Sequence, residues 1–323
     1  MRTNEKMLNA QASKKDEFYT MYDTVSNELV YYWPFLHGKR VYCNCDRPDA
    51  SNIWKYLKDN FIKIGLKSLV STFYGKGSYG TEITMRNGIL KERVFPLKGD
   101  GDYRSEECME ILKNSDVAVT NPPFSLAGEY VSIMYKCGRD FIVLGNQNIM
   151  TFRDVYPHVL DHTLHLGISI RKGDVEFEIP LSYKTTGKTR TRDGRKFVRV
   201  TGIRWFTSFD HGYYPKEIPL HTKKWNIENN TTLTKTLVKK YGSASYPKYD
   251  NYPAIEVPYT KAIPSDYEGI AGVPISFFDK YNPSQFEIVG FRKGLDGKDL
   301  SIKGKNTYFR FLIKKKRKEE AVL

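Results

Sequence analysis

The chain has 323 residues, 40% of them apolar and 14% aromatic, so it is long enough to bury a large core and suits two domains. It carries 51 Lys and Arg against 37 Asp and Glu, a formal charge of +14, which favours a polyanionic partner such as nucleic acid. The four cysteines are too few for a disulfide scaffold, and no stretch approaches the ~20 apolar residues of a membrane span. These features exclude a disulfide-rich or membrane-spanning protein, and we expect a cytoplasmic one.

Short β-rich runs alternate with helical stretches from residue 39 to about 175. We predict strands over 39–46, 67–74, 94–97, 116–120 and 139–146. Helices are predicted over 51–65, 105–115 and 124–138, the first of them with Ser51 or Asn52 near its N-cap. Repeated strand–helix units predict an α/β fold with a parallel, doubly wound sheet, in which ligands bind at the carboxyl ends of the strands.

The character of the sequence changes beyond about residue 165. Runs over 164–170, 196–200 and 202–209 predict further strands, whereas 223–323 has few long periodic segments and many Tyr, Pro and Lys. We therefore predict two domains, 1–222 and 223–323.

Asn121-Pro122-Pro123-Phe124 directly follows the predicted strand 116–120. Two prolines cannot continue a strand or enter a helix interior, so the chain must stop there and hold one shape. Such a loop offers a side-chain carbonyl, a backbone carbonyl and a ring, which together suit a planar amine such as N6 of adenine. Acceptors that bind both amine hydrogens free its lone pair, and these bonds strengthen as charge develops on nitrogen. The alternative is a simple turn, and the position between a strand and a helix favours the functional interpretation.

Segments in a fixed order along nearly the whole chain resemble one family. The segment AVTNPPF at 118–124 is similar to the catalytic motif of amino-group DNA methyltransferases, and Asn in first place resembles the adenine-N6 branch. Further segments resemble the EcoRI-type adenine methyltransferases: KKDEFYTMY (14–22), VYCNCDRPDASN (41–52), GDGDYRS (99–105), SYPKYDNYPAI (245–255) and DYEGIAGVPISFFDKYNPSQFEIVG (266–290). The resemblance implies a Rossmann-like methyltransferase sheet that binds S-adenosylmethionine, followed by a C-terminal target-recognition region.

The resemblance also implies roles for individual residues. The target adenine, extruded from the duplex, would be bound and stacked by Asn121, Pro122, Pro123 and Phe124. The cofactor would be bound by residues of an N-terminal motif and of the Asp-Tyr element: Phe18, Tyr19, Thr20, Asp102 and Tyr103. Asp100 could replace Asp102, because Gly-Asp-Gly-Asp offers both carboxylates in one turn.

Two features depart from the family pattern. The usual Gly-rich turn after the first strand is replaced by a segment that begins Asn44-Cys45-Asp46, and the second strand ends in Phe73-Tyr74 where a carboxylate would commonly bind the ribose. We expect this segment to contact the cofactor through Asn44, Cys45 and Asp46, with Asp46 near the amino-acid or ribose portion. The alternative is that Asp46 only caps the following helix.

Aromatic and polar residues are interleaved at Tyr246, Lys248, Tyr249, Asn251 and Tyr252. Lys would position a DNA backbone and Asn can pair with adenine edges, so this segment is a candidate DNA-binding surface. The alternative is a tyrosine-rich loop that packs the domains together, and the sequence leaves both open.

Metal and thiol chemistry are disfavoured. His158, His162 and His165 lack a carboxylate triad or an H-E-x-x-H pattern, so no metal is expected. Methylation at cytosine C5 requires a nucleophilic Cys after Pro, and none of the four cysteines follows a proline.

The sequence thus predicts an S-adenosylmethionine-dependent adenine-N6 methyltransferase of double-stranded DNA, acting as a monomer at a short specific site. The family resemblance suggests a palindrome like GAATTC and a functional pairing with a restriction endonuclease. Two alternatives are a methyltransferase of RNA or of a protein amide, and a DNA-binding protein that keeps the scaffold without catalysing.

Overall fold

Two units divide the chain, the first ending at His211 and the second beginning at Gly212. The computed structural model describes residues 19–171, 173–183, 187–292, 300–307 and 309–316. The break falls in the irregular stretch 210–220, as expected where few contacts cross a boundary, whereas the sequence-based boundary lies at 222. Among the described residues, no helix is long and apolar enough to cross a membrane.

The first unit alternates strands and helices. Its strands are β1 (Tyr19–Thr20), β2 (Arg40–Cys43), β3 (Ser68–Ser71), β4 (Tyr79–Arg86), β5 (Ile89–Pro96), β6 (Val117–Thr120), β7 (Asp140–Asn146), β8 (His165–Leu166), β9 (Asp174–Ile179), β10 (Thr189–Arg192), β11 (Arg195–Thr201) and β12 (Ile203–Thr207). Its α-helices are α1 (Tyr22–Leu29), α2 (Trp33–Leu36), α3 (Asn52–Asp59), α4 (Phe61–Ile64), α5 (Glu106–Lys113), α6 (Ala127–Lys136) and α7 (Tyr156–Leu160). Short 3-10 turns cover Val30–Tyr32 and Gln147–Thr151.

An eight-stranded sheet with the order β5-β4-β3-β2-β6-β7-β12-β8 forms the centre of this unit. Strands β3, β2, β6 and β7 are parallel, but β4, β5 and β12 run antiparallel to their inner neighbours. The expected parallel sheet is therefore mixed. One cause is the turn at Asn87-Gly88, where both residues have positive φ (50° and 75°) and fold the chain into the β4–β5 hairpin instead of a helical crossover.

The strand order reverses between β2 and β6. From β2 the chain passes through α3 and α4 to β3 on one side, and returns later through α5 to β6 on the other side. Connections that leave two adjacent parallel strands in opposite directions open a crevice at the carboxyl ends of those strands. The segments that follow β2 and β6 begin at Asn44 and Asn121, so the crevice lies where the sequence predicted a site.

A second sheet, with the order β1-β9-β11-β10, is antiparallel throughout. Alternate side chains on one of its faces, including Val175 and Phe177, belong to the same hydrophobic core as β2, β6 and β7. Phe124 also packs against this core. This sheet therefore supplies a wall beside the loop that follows β6.

The second unit has its own sheet and core. Its strands are β13 (Ala254–Glu256), β14 (Ile270–Val273), β15 (Phe286–Arg292), β16 (Ser301–Ile302), β17 (Lys305–Asn306) and β18 (Arg310–Lys315), and its α-helices are α8 (Lys223–Asn229) and α9 (Thr231–Tyr241). The sheet order is β13-β14-β18-β15, while β16 and β17 form a separate hairpin. Short 3-10 turns cover Thr260–Ala262 and Ile275–Lys280. A buried ion pair between Glu256 and Arg310 lies inside this unit, with a nitrogen–oxygen distance of 2.6 Å.

Candidate active site

The segments after β2 and β6 meet at the crevice. Asn44 and Asp46 are 1% and 4% exposed, and Asn121 is half-buried. The Asp46 carboxylate accepts hydrogen bonds from the Thr120 hydroxyl at 2.5 Å and from the Asn121 backbone N–H. The first-strand segment is thus joined directly to the first residue of the Asn-Pro-Pro-Phe loop.

The Asn-Pro-Pro-Phe loop is irregular and leads directly into α6. Pro122 is buried, and the Pro123 carbonyl accepts a hydrogen bond from the Leu126 N–H at 2.9 Å, which turns the chain towards the helix. Phe124 meets Phe177 edge to face, with ring centroids 5.4 Å apart. Since Phe124 is only half-buried, part of its ring stays accessible for stacking.

Asp46 also holds the neighbouring elements together. Its second carboxylate oxygen accepts from the Ser51 hydroxyl at 2.6 Å, and Ser51 caps α3 through the N–H groups of Ile53 and Trp54. Burial raises the pKa of Asp46 to about 6, although the hydrogen bonds from Ser51, Thr120 and the Asn121 N–H oppose this shift. The predicted Ser51 cap is confirmed. Asp46 does not cap the helix itself; it accepts a hydrogen bond from the Ser51 side chain that does.

Asn44 lies in a short chain of polar aromatic contacts. The Tyr130 hydroxyl of α6 donates to the Asn44 side-chain oxygen at 2.5 Å, and the Tyr130 ring meets Tyr103 edge to face at 5.2 Å. Burial raises the pKa of Tyr130 well above its usual value, so its hydroxyl stays neutral and remains a donor. The sequence-predicted Asn44 and Tyr103 are therefore brought together, through a residue that the sequence did not indicate.

Three predicted cofactor residues carry buried polar atoms for which the described residues provide no hydrogen-bond partner: Thr20 Oγ1, Asn44 Nδ2 and the Tyr103 hydroxyl. Leaving such atoms unpaired costs about 1–3 kcal/mol each in a folded protein. A polar ligand at the crevice would satisfy them. The residues present therefore fit a polar cofactor.

Phe18, the remaining predicted aromatic of the N-terminal motif, lies outside the described residues, and Tyr19 is half-buried.

The Gly-Asp-Gly-Asp turn presents its two carboxylates differently. Asp102 is paired with Arg104, whose guanidinium lies 2.7 Å from the carboxylate. Burial would raise the pKa of Asp102, but the hydrogen bonds from Arg104 outweigh it and lower that pKa. Asp100 is exposed, and its side chain accepts from the Asp102 N–H at 3.1 Å. Gly101 has φ +77° and a Cβ there would clash with the Phe73 carbonyl, so this turn is packed closely against the segment that follows β3.

The segment that follows β3, the strand predicted over 67–74, offers rings and a cation instead of a carboxylate. Phe73 is 7% exposed and the Arg47 guanidinium lies 5.3 Å from its ring centroid. Tyr74 is 65% exposed. Arg47 is itself paired with Asp49 at 2.6 Å, so the charges of this segment are largely matched locally.

The predicted DNA-binding residues of the second unit divide into inward and outward ones. Tyr249 is 5% exposed and donates to Glu256, and the Tyr246 hydroxyl donates to the Ala262 carbonyl at 2.7 Å. Lys248 and Asn251 are exposed, and the Asn251 side chain accepts from the Ser301 N–H at 3.1 Å. Tyr252 is half-buried beneath Arg292, whose guanidinium lies 5.6 Å from its ring.

Of the three histidines considered for a metal site, His158 has two neighbouring partners. His158 stacks on Tyr135 with centroids 3.4 Å apart, and its Nδ1 is within 3.0 Å of the Thr163 hydroxyl. His165 is buried. Among the described residues, no group of three His, Cys, Asp or Glu is placed to hold a metal ion, and the four cysteines are unpaired.

Sequence reasoning missed three residues that shape the site: Thr120, Tyr130 and Phe177. Thr120 is the last residue of β6 and directly precedes Asn121. Its position at the carboxyl end of the strand was the signal that could have indicated it as a site residue. Tyr130 and Phe177 gave no local signal, because their importance depends on contacts with Asn44 and Phe124 far away in the sequence.

Comparison with known proteins places the chain in a family. Residues 6–89 and 80–321 match the family described as Adenine-specific methyltransferase EcoRI. The chain is 40% identical over 333 residues to the Type II methyltransferase M.EcoRI of Escherichia coli, covering 98% of both chains. It is 30% identical to M.MgeORF184P of Mycoplasma genitalium and 29% identical to M.MpnI of Mycoplasma pneumoniae, each over 95% of this chain and 97% of the relative. No solved structure matches the chain. The chain therefore belongs to the EcoRI family of adenine-specific methyltransferases.

Proposed function

We propose that this chain methylates N6 of an adenine at a short specific site in double-stranded DNA, with S-adenosylmethionine as the methyl donor. The observation that carries the proposal is the position of the Asn-Pro-Pro-Phe loop: it follows β6 at the point where the strand order reverses, beside the segment that follows β2. Ligands of open α/β sheets bind at such points. The central sheet would then be the Rossmann-like sheet of a methyltransferase.

The chain's own residues would activate the amine by geometry. The Asn121 side-chain oxygen and the Pro122 carbonyl would each accept one N6 hydrogen, which favours the pyramidal amine with its lone pair free. No general base is needed before attack, because the proton leaves only after nitrogen has become positively charged. Phe124 would hold the extruded base by stacking, with Phe177 fixing the ring from the side.

The cofactor residues are proposed from their burial and pairing. Asn44 and Tyr103, with Thr20 of β1, offer buried polar atoms towards a polar ligand. Asp102 would exchange its contact with Arg104 for the cofactor's adenine amine, and Asp100 is the alternative in the same turn. When bound, S-adenosylmethionine supplies a methyl group activated by a sulfonium charge.

The second unit is proposed to supply most of the DNA contacts. From Gly212 to Leu323 the chain has 20 Lys and Arg against 12 Asp and Glu. Its helix α9 has exposed Lys235, Lys239 and Lys240 and no acidic residue, while Leu233 and Leu237 bury the opposite face. In the described part of the chain none of these three ammonium groups takes part in an ion pair, so they would be available to phosphates. Exposed Lys248 would add a further contact.

A methyl-transfer assay tests the proposal. Labelled S-adenosylmethionine is incubated with unmethylated duplex DNA, the product nucleosides are separated and the modified position is sequenced. N6-methyladenine in one short context is expected. Label that enters RNA or protein but not DNA would contradict the proposed substrate. Cofactor binding without any transfer would contradict catalysis.

The designation of the relatives as Type II methyltransferases supports a pairing with a restriction endonuclease, and we expect the chain to act as a monomer.

Replacing Phe124 by Ala should weaken capture of the extruded base. Stacking of a base on an aromatic ring contributes about 1–3 kcal/mol, and the half-buried ring leaves a face for it. The measurement is the fluorescence of 2-aminopurine at the target position, which should rise on binding of the unaltered protein and rise much less with Phe124→Ala. Phe124→Tyr keeps the ring and should keep the rise. An equal rise for Ala and Tyr variants would contradict stacking.

Replacing Lys235, Lys239 and Lys240 together by Gln should weaken duplex binding and its dependence on salt. Each phosphate contact contributes about 0.9 to the slope of log K against log salt, so the slope should fall by about 2–3. The matched control replaces Lys55, Lys58 and Lys63, which are exposed on α3 and α4 of the first unit and change the net charge equally. A slope that falls equally in both variants would show a general charge effect instead of a contact by α9.

A further inference from the structure

The carboxylate of Asp46 makes contacts that a cofactor ligand would not require. One oxygen accepts from the Thr120 hydroxyl at 2.5 Å and the other accepts from the Ser51 hydroxyl at 2.6 Å. The Asn121 N–H also donates to this carboxylate. The side chain is 4% exposed, so its lone pairs are directed at protein groups from two other segments.

The backbone of Asp46 is fixed as well. Its N–H donates to the Thr72 carbonyl at 3.2 Å, and its carbonyl accepts a hydrogen bond from the Ser71 hydroxyl. Asp46 therefore joins the segment that follows β2 to the carboxyl ends of β3 and β6 and to the N-cap of α3. From that cap, the neighbouring Asn52 side chain donates to the Thr20 carbonyl of β1 at 2.7 Å.

We propose that Asp46 is a positioning residue that holds Thr120 and Asn121 in place across the crevice, and that it acts on turnover through Asn121 instead of by binding the cofactor. The inference rests on the proposed function, because it assigns Asn121 as the acceptor for the target amine. Asn121 is followed by two prolines without N–H groups, so the loop has few backbone donors of its own to fix it. The hydrogen bond from the Asn121 N–H to the buried carboxylate fixes the backbone of the residue whose side chain is proposed to contact the target amine.

The ionisation of Asp46 provides a second expectation. Burial raises its pKa to about 6, and protonation converts one acceptor oxygen into a donor that competes with Ser51 and Thr120. The titratable neighbours are Cys43, Cys45 and Tyr130, whose pKa values are raised by burial and further by the negative charge of Asp46. Of these four groups, Asp46 is the one that changes charge near pH 6. Turnover should therefore fall below about pH 6 as the loop loses this anchor.

Asp46→Asn should separate positioning from cofactor binding. The amide has nearly the same shape but presents N–H donors where Thr120 and the Asn121 N–H require acceptors. We expect kcat to fall by roughly 10- to 100-fold, since small misplacements of reacting groups have effects of this order. The dissociation constant of S-adenosylmethionine, measured by calorimetry, should change less than about threefold. The fall in kcat below about pH 6 should disappear from the pH profile. Asp59→Asn, an exposed residue of α3 paired with Lys55, is the matched control and should leave these quantities unchanged.

Thr120→Val tests the same contact from the other side and leaves the Asp46 carboxylate in place. It should lower kcat less than Asp46→Asn, and the two changes together should be less than additive, because both remove one shared interaction. In the protein without ligands, deuterium uptake of the peptide containing Asn121 should be faster in Asp46→Asn than in Asp59→Asn. This uptake is independent of activity, so failure of the unaltered protein to methylate DNA would refute the proposed function without deciding the anchor.

Three results would overturn the positioning role: an unchanged kcat in Asp46→Asn, a rise in the cofactor dissociation constant with normal kcat at saturation, or equal deuterium uptake in the two Asp→Asn variants. The second result would make Asp46 a cofactor ligand, as the sequence first suggested.

Discussion

Replacing Asn121 by Ala should lower methyl transfer by roughly 100- to 1,000-fold, the effect expected when one preorganised hydrogen-bonding group is removed from a developing charge. The reason is that the amide oxygen would interact more strongly with the amine as nitrogen becomes positive than with the neutral base, so its removal acts on kcat more than on binding. Single-turnover transfer of labelled methyl groups measures this directly. Binding of S-adenosylmethionine and of duplex DNA should change little, because neither depends on this one acceptor.

Two variants make the Asn121 result specific. Asn121→Asp keeps acceptor oxygens and should retain part of the activity, reduced because a second carboxylate would stand beside the buried Asp46. Asn114→Ala removes an exposed amide whose nitrogen donates to the Glu110 carbonyl at the end of α5, and should leave transfer unchanged. Full activity of Asn121→Ala would refute the acceptor role whatever the other variants do.

Local patterns predicted the elements that carry the site. Predicted strand 116–120 is Val117–Thr120 and predicted helix 105–115 is Glu106–Lys113, because an apolar run and a Ser105 cap act within a few residues. The hairpins were not predicted, although Asn87-Gly88 and Asp193-Gly194 carry the local signal for two-residue turns with positive φ. Strand β5 is exposed along most of its length and β10 reads Thr-Arg-Thr-Arg, so neither strand has the buried apolar face that produces a recognisable alternation.

The contacts at the site could be predicted only in part. The sequence predicted Asn121 at the carboxyl end of one strand and Asp46 just after another, and the structure joins the two segments because the carboxyl ends of adjacent parallel strands share one edge. It could not give the partners of Asp46, since Ser51, Ser71 and Thr120 belong to three segments and their meeting depends on the order of strands. The same limit applies in the second unit. Tyr249 points inward because its hydroxyl donates to Glu256, which is itself paired with Arg310 of β18.

Replacing Arg310 by Met should lower the free energy of unfolding of the second unit by about 3–5 kcal/mol, because it leaves a buried carboxylate without its cation. The side chains of Arg310 and Glu256 are 8% and 0% exposed, and the guanidinium makes contacts of 2.6 and 3.0 Å with the two carboxylate oxygens. Denaturant unfolding followed by aromatic fluorescence measures the loss. Lys55→Met breaks an exposed pair with Asp59 and should change stability by less than about 1 kcal/mol.

The double variant Arg310→Met with Glu256→Gln separates the pair from the packing around it. Removing both charges should recover much of the stability, because the main penalty of the single change is the unpaired charge and not the lost attraction. Equal instability of single and double variants would contradict this account. Tyr249 donates its hydroxyl to Glu256, so the pair also holds the segment that carries Lys248. Arg310→Met should therefore weaken duplex binding even at temperatures where the unit is still folded. The buried pair would then contribute to DNA recognition as well as to stability.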